Sequence, residues 1–208
     1  MAGQKQFCES YKAFLVNIDR SRAFLRMFDE PGGQPRGVGQ PSSDEKELLR
    51  GAVVFSVGAL DAFLHELILE IVPRFGGVQD ALNEALRHIT RDDPGLALRM
   101  NLMSEQADKR VAFRSALDGW LSQKSFQGPE AVIRAISYVG CGLAWTDFDV
   151  ATGENTPERL QHFTEMRHNI VHRGFKPNIG RPSADQCVGL VEVIANLVNA
   201  ETVKFYHA

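Results

Sequence analysis

Cysteine is scarce in this chain, and its three residues, Cys8, Cys141 and Cys187, stand far apart in the sequence. No C-x-x-C pair occurs, so the pattern predicts neither a disulfide framework nor a thiolate zinc site. A signal-peptide pattern is also missing, because the first amphipathic stretch is charged throughout, and we expect no later segment to span a bilayer. These absences predict a cytoplasmic protein with reduced thiols and no membrane contact.

Several catalytic signatures are missing as well. The Gly- and Pro-rich stretch 31–41 lacks the Gly-Lys-Ser/Thr ending of a phosphate-binding P-loop, and neither H-E-x-x-H nor G-x-S-x-G occurs in the sequence. A net charge of −3 argues against a protein that coats nucleic acid non-specifically, because such binding depends on many basic contacts to phosphate. Any site for nucleic acid must therefore be local.

Helical periodicity is present along most of the chain. Apolar residues recur at helical spacing over about 5–28, 42–72, 78–89, 104–121, 156–171 and from 183 nearly to the C-terminus. Pro73 is predicted to end the second of these helices, and Pro129 to begin a further one. Residues 92–95 are predicted to form a turn.

The chain is long enough for one domain with a real core, with 208 residues of which 44% are hydrophobic. The periodicity predicts a single all-α domain over 1–208, built on a helical bundle. Residues 31–43 are predicted to form a flexible loop. Residues 140–155 show no period and are predicted to be an irregular insertion, either a short hairpin or a loop, before the penultimate helix.

Three helix starts carry capping signals. Ser42 with Glu45, and Ser183 with Gln186, have the spacing of a capping box, in which each side chain accepts the other residue's backbone N–H. Thr156 is predicted to be the N-cap of the penultimate helix, because a proline follows it at the first helical position.

Two charged residues interrupt the apolar stripes of these helices. Asp61 lies on the apolar face of the long second helix, and Arg167 lies in the apolar arc of the penultimate helix with Phe163 and Ile170. Burying either charge alone would be costly, so we predict that the two form a buried ion pair. Such a pair would give Arg167 a purely structural role as an alternative to a catalytic one.

The segment Arg-His-Asn-Ile-Val-His-Arg at 167–173 is the richest in potential chemistry. His168 and His172 lie one turn apart on a polar face, beside the apolar arc. Imidazole exchanges a proton near neutral pH, and the arginine fork fits phosphate, so the combination suits cleavage of a phosphodiester. No acid occurs between Glu165 and Asp185, and the basic residues of this interval are predicted to bind RNA: Arg173, Lys176 and Arg181.

Arg167 and His172 reproduce the R-x4-H motif of the HEPN superfamily. Together with the string Ala-Leu-Asp-Ala-Phe-Leu-His-Glu at 59–66, the motif makes the chain resemble the RiboL-PSP-HEPN branch, from about residue 45 to the end. The resemblance implies a helical bundle and a metal-independent endoribonuclease without a cofactor, acting as a toxin or in antiviral defence. It assigns catalysis to Arg167 and His172, with His168, Asn169 and Asp61 in supporting roles. Family members often have Asn directly after the arginine, so His168 and Asn169 both remain candidates for the supporting polar position.

Under this hypothesis neutral His172 takes the proton of a ribose 2′-hydroxyl, a nearby cation stabilises the phosphoryl oxygens, and a second imidazole protonates the leaving oxygen. The products would carry 2′,3′-cyclic phosphate and 5′-hydroxyl ends. Arg167 and His172 lie about 140° apart on an ideal helix. We therefore expect the helix to end or bend near the motif, or a homodimer to complete the site. RNA and an antitoxin or regulatory protein are the other expected partners.

Two alternative functions stay open. Glu165, His168 and His172 have a spacing that suits a divalent metal on one helix face, which would make a metal-dependent enzyme. A non-catalytic helical module would instead bind a nucleotide or a partner protein through the basic patch.

Other residues with chemical potential have simpler explanations. His65 and Glu66 are kept only as candidates close to Asp61, because packing explains them equally well. Trp120, Trp145 and Phe148 could stack on unpaired bases, but aromatic residues are more often part of a core.

Overall fold

The computed structural model describes residues 8–34, 39–75 and 106–206, together with positions 37, 87, 91 and 95. These residues form α-helices and one 3-10 turn and no strand, which confirms the all-α prediction. The helices are α1 (Glu9–Asp29), α2 (Ser43–Phe75), α3 (Gln106–Leu121), α4 (Pro129–Tyr138), α5 (Trp145–Thr152), α6 (Thr156–Arg173) and α7 (Arg181–Tyr206). The helix predicted at 78–89 and the turn at 92–95 lie, apart from positions 87 and 95, outside the described residues.

Helix α2 is the centre of the fold. Helix α1 packs along it, and α3, α4, α6 and α7 contact it on its other sides. The rings of Tyr11 and Phe14 from α1 lie 5.9 and 5.5 Å from the ring of Phe63, centroid to centroid. Burial of such apolar surface is the main stabilising contribution to the fold.

The same helix corrects the expectation that no segment has the length and apolarity of a membrane span. By length and composition, Ser43–Arg74 meets both conditions, and 61% of its most apolar window is buried inside the protein. A helix surrounded by others in a bundle must be apolar on most of its sides. Length and composition therefore do not separate a central helix from a spanning one.

Pro73 does not end the long helix as predicted but lies within its last turn. Proline has no backbone N–H, so the carbonyl of Leu69, four residues earlier, loses its usual helical partner. The Nη1 group of Arg114, on α3, donates to this carbonyl at 2.7 Å. A contact from a distant part of the chain thus satisfies the oxygen that the proline leaves open.

The segment 140–155, predicted to be irregular, contains helix α5. The Asp147 carboxylate accepts the N–H of Ala144 at 2.8 Å at its start, and Gly153 closes its end in the left-handed conformation, with φ 71°. Phe148 is its one buried side chain. Eight residues with a single buried position give no detectable period, which is why the pattern missed this helix.

The capping predictions have mixed outcomes. The box at Ser42 and Glu45 is confirmed, with N–H to side-chain distances of 2.6 and 3.2 Å. Helix α6 is capped by Asn155, whose Oδ1 accepts an N–H at 3.2 Å, and Thr156 lies inside the first turn. The box at Ser183 is wrong, because α7 already begins at Arg181. The predicted cap lies one residue too late for α6 and three residues too late for α7, because the polar pattern alone does not select the first helical residue.

Other boundaries and core positions also differ from the predictions. The loop predicted at 31–43 opens with a 3-10 turn at Pro31–Gly33, and positions 35, 36 and 38 lie outside the described residues. Val111 is 69% exposed and Val171 is 46% exposed, although both are apolar residues within helices that the periodicity predicted. Periodicity shows which face of a helix is apolar. Which residues of that face are buried depends on where the neighbouring helices pack.

Candidate functional site

The C-terminal half of α6 carries the motif residues. The helix is continuous to Arg173 and ends at Gly174, whose φ of 63° favours glycine. The N–H of Phe175 donates to the carbonyl of Asn169 at 3.0 Å and closes this end. The motif therefore lies in the last two turns of the helix, and the side chain of Asn169 is half-buried there.

His168 and His172 form an exposed pair of imidazoles on one side of this end. Their ring centroids are 5.0 Å apart, and the ring planes are inclined by 42°. Neither ring is hydrogen-bonded or ion-paired to another described residue. Both rings can therefore exchange protons with a ligand without breaking a contact inside the protein.

Asp61 does not pair with Arg167, and the predicted ion pair is wrong. The Asp61 carboxylate accepts the backbone N–H of Phe126 at 2.5 Å and the Nε2 group of Gln127 at 3.0 Å. Thr164 of α6 in turn donates its hydroxyl to the carbonyl of Gln127 at 2.8 Å. Asp61 thus holds the turn before α4, and that turn is bonded to α6, so the carboxylate supports the position of the motif helix without contacting the motif.

His65 belongs to the same cluster. Its Nδ1 lies 2.8 Å from the carbonyl of Asp61 and its Nε2 lies 3.1 Å from the carbonyl of Leu121, while its ring packs against Phe126. Glu66 is exposed on the next position and lies 3.8 Å from a guanidinium nitrogen of Arg114. These contacts join α2 to α3, with His65 in the packing between the helices and Glu66 at the surface.

Arg167 lines a cleft of about 320 Å³ between α1, α2 and α6. Its Nε atom is buried and has no hydrogen-bond partner among the described residues. Asn17 and Arg20 of α1 line the same cleft, and Phe55 of α2 contributes an aromatic ring that is 42% exposed. The arginine therefore faces a space that a ligand can enter.

The motif is thus divided between two sides of α6. Arg167 lines the cleft, whereas neither His168 nor His172 is among the residues that line it. This division agrees with the angle of about 140° between Arg167 and His172 on an ideal helix. Within one chain, the arginine and the imidazole pair do not share one pocket.

The basic patch after the motif is partly neutralised by acids from other helices. Arg181 forms a fork with Asp29, at 2.9 and 3.1 Å from its Nε to the two oxygens, and pairs with Asp185 at 3.1 Å. The hydrogen bonds that Arg181 donates to Asp29 raise its pKa above the ordinary arginine value. Arg181 therefore ties the start of α7 to the end of α1, and its guanidinium is already occupied.

The other two predicted RNA-binding residues differ from each other. Lys176 is exposed, with its Nζ 3.8 Å from a carboxylate oxygen of Glu47. Arg173 is exposed and forms no ion pair with any described residue. Arg173 is therefore the cation of the patch that is most available to a phosphate.

Arg50 holds the loop that follows the motif helix, and the sequence patterns did not single it out. It is buried on α2, and its guanidinium donates to the carbonyls of Pro177 at 3.0 Å and Lys176 at 3.2 Å, and to Glu47 at 2.8 Å. It thereby fixes the loop that follows the motif helix. A charge on an otherwise apolar stripe was the available signal, the same signal that singled out Asp61.

The sequence spacing of Glu165, His168 and His172 suggested a metal site, but the structure does not arrange these side chains as metal ligands. Among the described residues, no group of three His, Cys, Asp or Glu side chains is arranged to hold a metal ion. The carboxylate of Glu165 instead accepts a hydrogen bond from Gln161 at 2.7 Å. Glu165, His168 and His172 therefore do not form the ligand set that was considered.

The three thiols are free and buried. Burial raises the pKa of Cys187 to about 12 and that of Cys8 to about 11, and burial also raises the pKa of Cys141. A thiolate is the nucleophilic form of cysteine, so these residues are poorly suited to nucleophilic catalysis.

The aromatic residues considered for base stacking are mainly part of the core. Trp120 and Phe148 are buried, and Trp145 is half-buried against Phe148, with centroids 5.2 Å apart. The expectation of core packing is confirmed for Trp120 and Phe148.

Comparisons with protein-family models, with curated proteins and with solved structures found no match to this chain. The resemblance to the HEPN superfamily therefore depends on the sequence segments 59–66 and 167–173 alone.

Proposed function

We propose that this chain is a metal-independent endoribonuclease of the HEPN type. The observation that carries the proposal is the imidazole pair: His168 and His172 are exposed, unpaired among the described residues and 5.0 Å apart between centroids. Cleavage of RNA through its own 2′-hydroxyl needs a base and an acid within reach of one phosphate. Two neighbouring imidazoles supply both functions near neutral pH.

The residues present support the following sequence of steps. Neutral His172 accepts the proton of the 2′-hydroxyl, whose oxygen attacks phosphorus. His168, protonated, gives its proton to the departing 5′-oxygen, so the P–O5′ bond breaks while the new P–O2′ bond forms. Arg173 offsets the negative charge that grows on the phosphoryl oxygens. The products carry a 2′,3′-cyclic phosphate and a 5′-hydroxyl.

RNA binding in this proposal depends on Arg173 and Lys176. Arg181 is left out, because its guanidinium is bonded to Asp29 and Asp185. Asn169 and Asp61 support the site through the helix end and through the 126–127 turn. A role as a toxin or in antiviral defence, with an antitoxin or regulatory protein as partner, is the part of the proposal that follows from the HEPN resemblance.

A homodimer belongs to the same proposal. Arg167 lies on a different side of α6 from the imidazole pair, so a second copy is the simplest way to bring an arginine of the motif to the histidines. The two copies would be related by a two-fold axis that places their 167–173 segments together. Light scattering should give twice the mass of the chain, and a monomer that is fully active on RNA would contradict this arrangement.

The test of the activity is incubation of the purified protein with mixed RNA in the presence of a chelator. Wild type should cleave and leave cyclic phosphate ends, and His172→Asn should reduce the rate at least about 100-fold. His162→Asn is a matched control, because His162 is exposed on the same helix, between one and two turns before Arg167. Cleavage that disappears with chelator would indicate a metal enzyme, and no cleavage at all would leave a non-catalytic module; both outcomes contradict the proposal.

A further inference from the structure

A further pocket lies where α4 begins beside α6. Its volume of about 410 Å³ is within the range typical of ligand sites. It shares no lining residue with the cleft that contains Arg167. The lining comes from the first turns of α4, the glycine before them and one residue of α6: Gly128, Pro129, Glu130, Ala131, Arg134 and Gln161. None of these residues takes part in the proposed cleavage.

Gln161 places the pocket on the same side of α6 as the imidazole pair. It precedes His168 by seven residues and His172 by eleven, so on an ideal helix each histidine lies within about 20° of it. Helix α6 is continuous over this interval. At about 1.5 Å per residue, Gln161 lies about 10 Å from His168 along the axis. A single strand of RNA that follows this side of α6 therefore reaches both the histidines and the pocket.

The polar side chains of the pocket are two acceptors and one cation. Gln161 donates through Nε2 to Glu165 at 2.7 Å, and its Oε1 accepts no hydrogen bond from a described residue. This oxygen lies over Gly128, 3.8 Å from the place that a Cβ atom would take there. The side chains of Glu130 and Arg134 have no hydrogen bond or ion pair with another described residue. All three groups are therefore available to a ligand.

We propose that this pocket binds a guanine base of the RNA substrate, an inference that rests on the proposed ribonuclease function. Guanine carries two adjacent donors on its Watson–Crick edge, N1–H and the N2 amino group, and the two oxygens of one carboxylate accept both. Glu130 supplies this carboxylate, and Oε1 of Gln161 accepts the second hydrogen of the amino group. Arg134 offsets the charge of an adjoining phosphate.

The acid in the lining decides between a base and a phosphate as the occupant of the pocket. Glu130 would repel a phosphate group bound alone, and its charge cancels that of Arg134. The other bases also match two acceptors less well. Adenine and cytosine present an amino group beside an acceptor on this edge, and uracil presents one N–H between two carbonyl oxygens. Each would leave a carboxylate oxygen facing an acceptor, which is unfavourable.

The experiment measures binding of labelled oligouridine by fluorescence anisotropy, in the full chain with His172→Asn to prevent cleavage. The oligonucleotides carry one central guanosine, inosine, adenosine or uridine. The guanosine oligomer should bind about tenfold more tightly than the adenosine and uridine ones, as one charged hydrogen-bond pair predicts. Inosine, which lacks only the N2 amino group, should be intermediate.

Variants of the pocket separate base recognition from charge. Glu130→Gln should reduce the preference for guanosine to less than about twofold, because an amide hydrogen replaces one acceptor. Glu66→Gln, the same change at an exposed acid outside the pocket, should leave the preference intact. Arg134→Gln should weaken all four oligonucleotides by a similar factor, whereas Arg110→Gln, at an exposed arginine on α3, should not.

The inference and the proposed function fail in different ways. A preference for guanosine that Glu130→Gln removes supports the pocket even if wild type never cleaves RNA, which would contradict only the ribonuclease. Cleavage without any preference would contradict only the pocket. The inference is overturned if the four oligonucleotides bind equally or not at all, or if Glu130→Gln keeps the preference.

Discussion

The polar side chains around Asp61 are hydrogen-bonded to other groups of the protein. The polar side chains at the C-terminal end of α6 have no such partners among the described residues. The Asp61 carboxylate accepts two hydrogen bonds, and both ring nitrogens of His65 lie beside backbone carbonyls. His168, His172 and Arg173 have no such partner among the described residues. Both regions carry ionisable side chains in the sequence. Only the second is free to act on a ligand, because its groups need not give up an internal contact to do so.

The largest expected effect is the loss of RNA cleavage when either histidine of the motif is replaced. We expect His168→Asn and His172→Asn each to lower the cleavage rate at least about 100-fold, and the double variant to be little worse than either, because residues that act as a unit are non-additive. Single-turnover rates in chelator measure this, with melting temperatures as the check on folding. A double variant whose loss equals the product of the two single losses would mean that the histidines act independently.

Removing Asp61 should show the opposite behaviour. Asp61→Ala leaves the N–H of Phe126 and the amide of Gln127 without their acceptor, so the free energy of unfolding should fall by about 1–3 kcal/mol. Urea denaturation measures the change. Asp118→Ala, at an exposed position on α3, is the control and should change stability by less than about 0.5 kcal/mol. Equal losses in the two variants would show that the Asp61 cluster has no special structural role.

Arg173 and Arg181 test the same contrast within the basic patch. Arg173→Ala should weaken RNA binding several-fold and lower the slope of log affinity against log salt by about 1, as the loss of one phosphate contact predicts. Arg181→Ala should leave RNA affinity unchanged and reduce stability by at most about 1 kcal/mol, because its pairs are partly exposed. Fluorescence anisotropy at several salt concentrations, in the His172→Asn background, distinguishes them. If both variants lower the slope of log affinity against log salt equally, Arg181 contacts RNA as the sequence predicted.

The effect of Arg167 on folding stability should be small. Arg167→Met retains an apolar stem and removes an N–H that lacks a partner, so the free energy of unfolding should stay the same or rise by up to about 1 kcal/mol. Urea denaturation of the two proteins side by side measures it. A clear loss of stability would instead indicate that the guanidinium is bonded inside the fold after all.

The helical elements were largely determined by local sequence, and so was the neighbourhood of the two histidines. A spacing of four residues places His168 and His172 on one side of any α-helix, and Gly174 ends that helix because it takes the left-handed conformation at no cost. The same local logic found the box at Ser42 and Glu45 and the start of α4 at Pro129. It failed for α5, where eight residues bury only Phe148 and leave no period to detect.

The choice of partners was decided by the tertiary structure alone. Periodicity shows that Asp61 and Arg167 both face inward, but not that helices surround α2 on several sides. Asp61 therefore meets the turn at 126–127, and Arg167 meets the cleft beside α1. Likewise, the interval without acids after Glu165 is basic in sequence, yet Asp29 and Glu47 approach it from other helices. Backbone donors and distant side chains leave no mark in a one-dimensional pattern, so which charges are satisfied and which stay available emerges only when the helices pack.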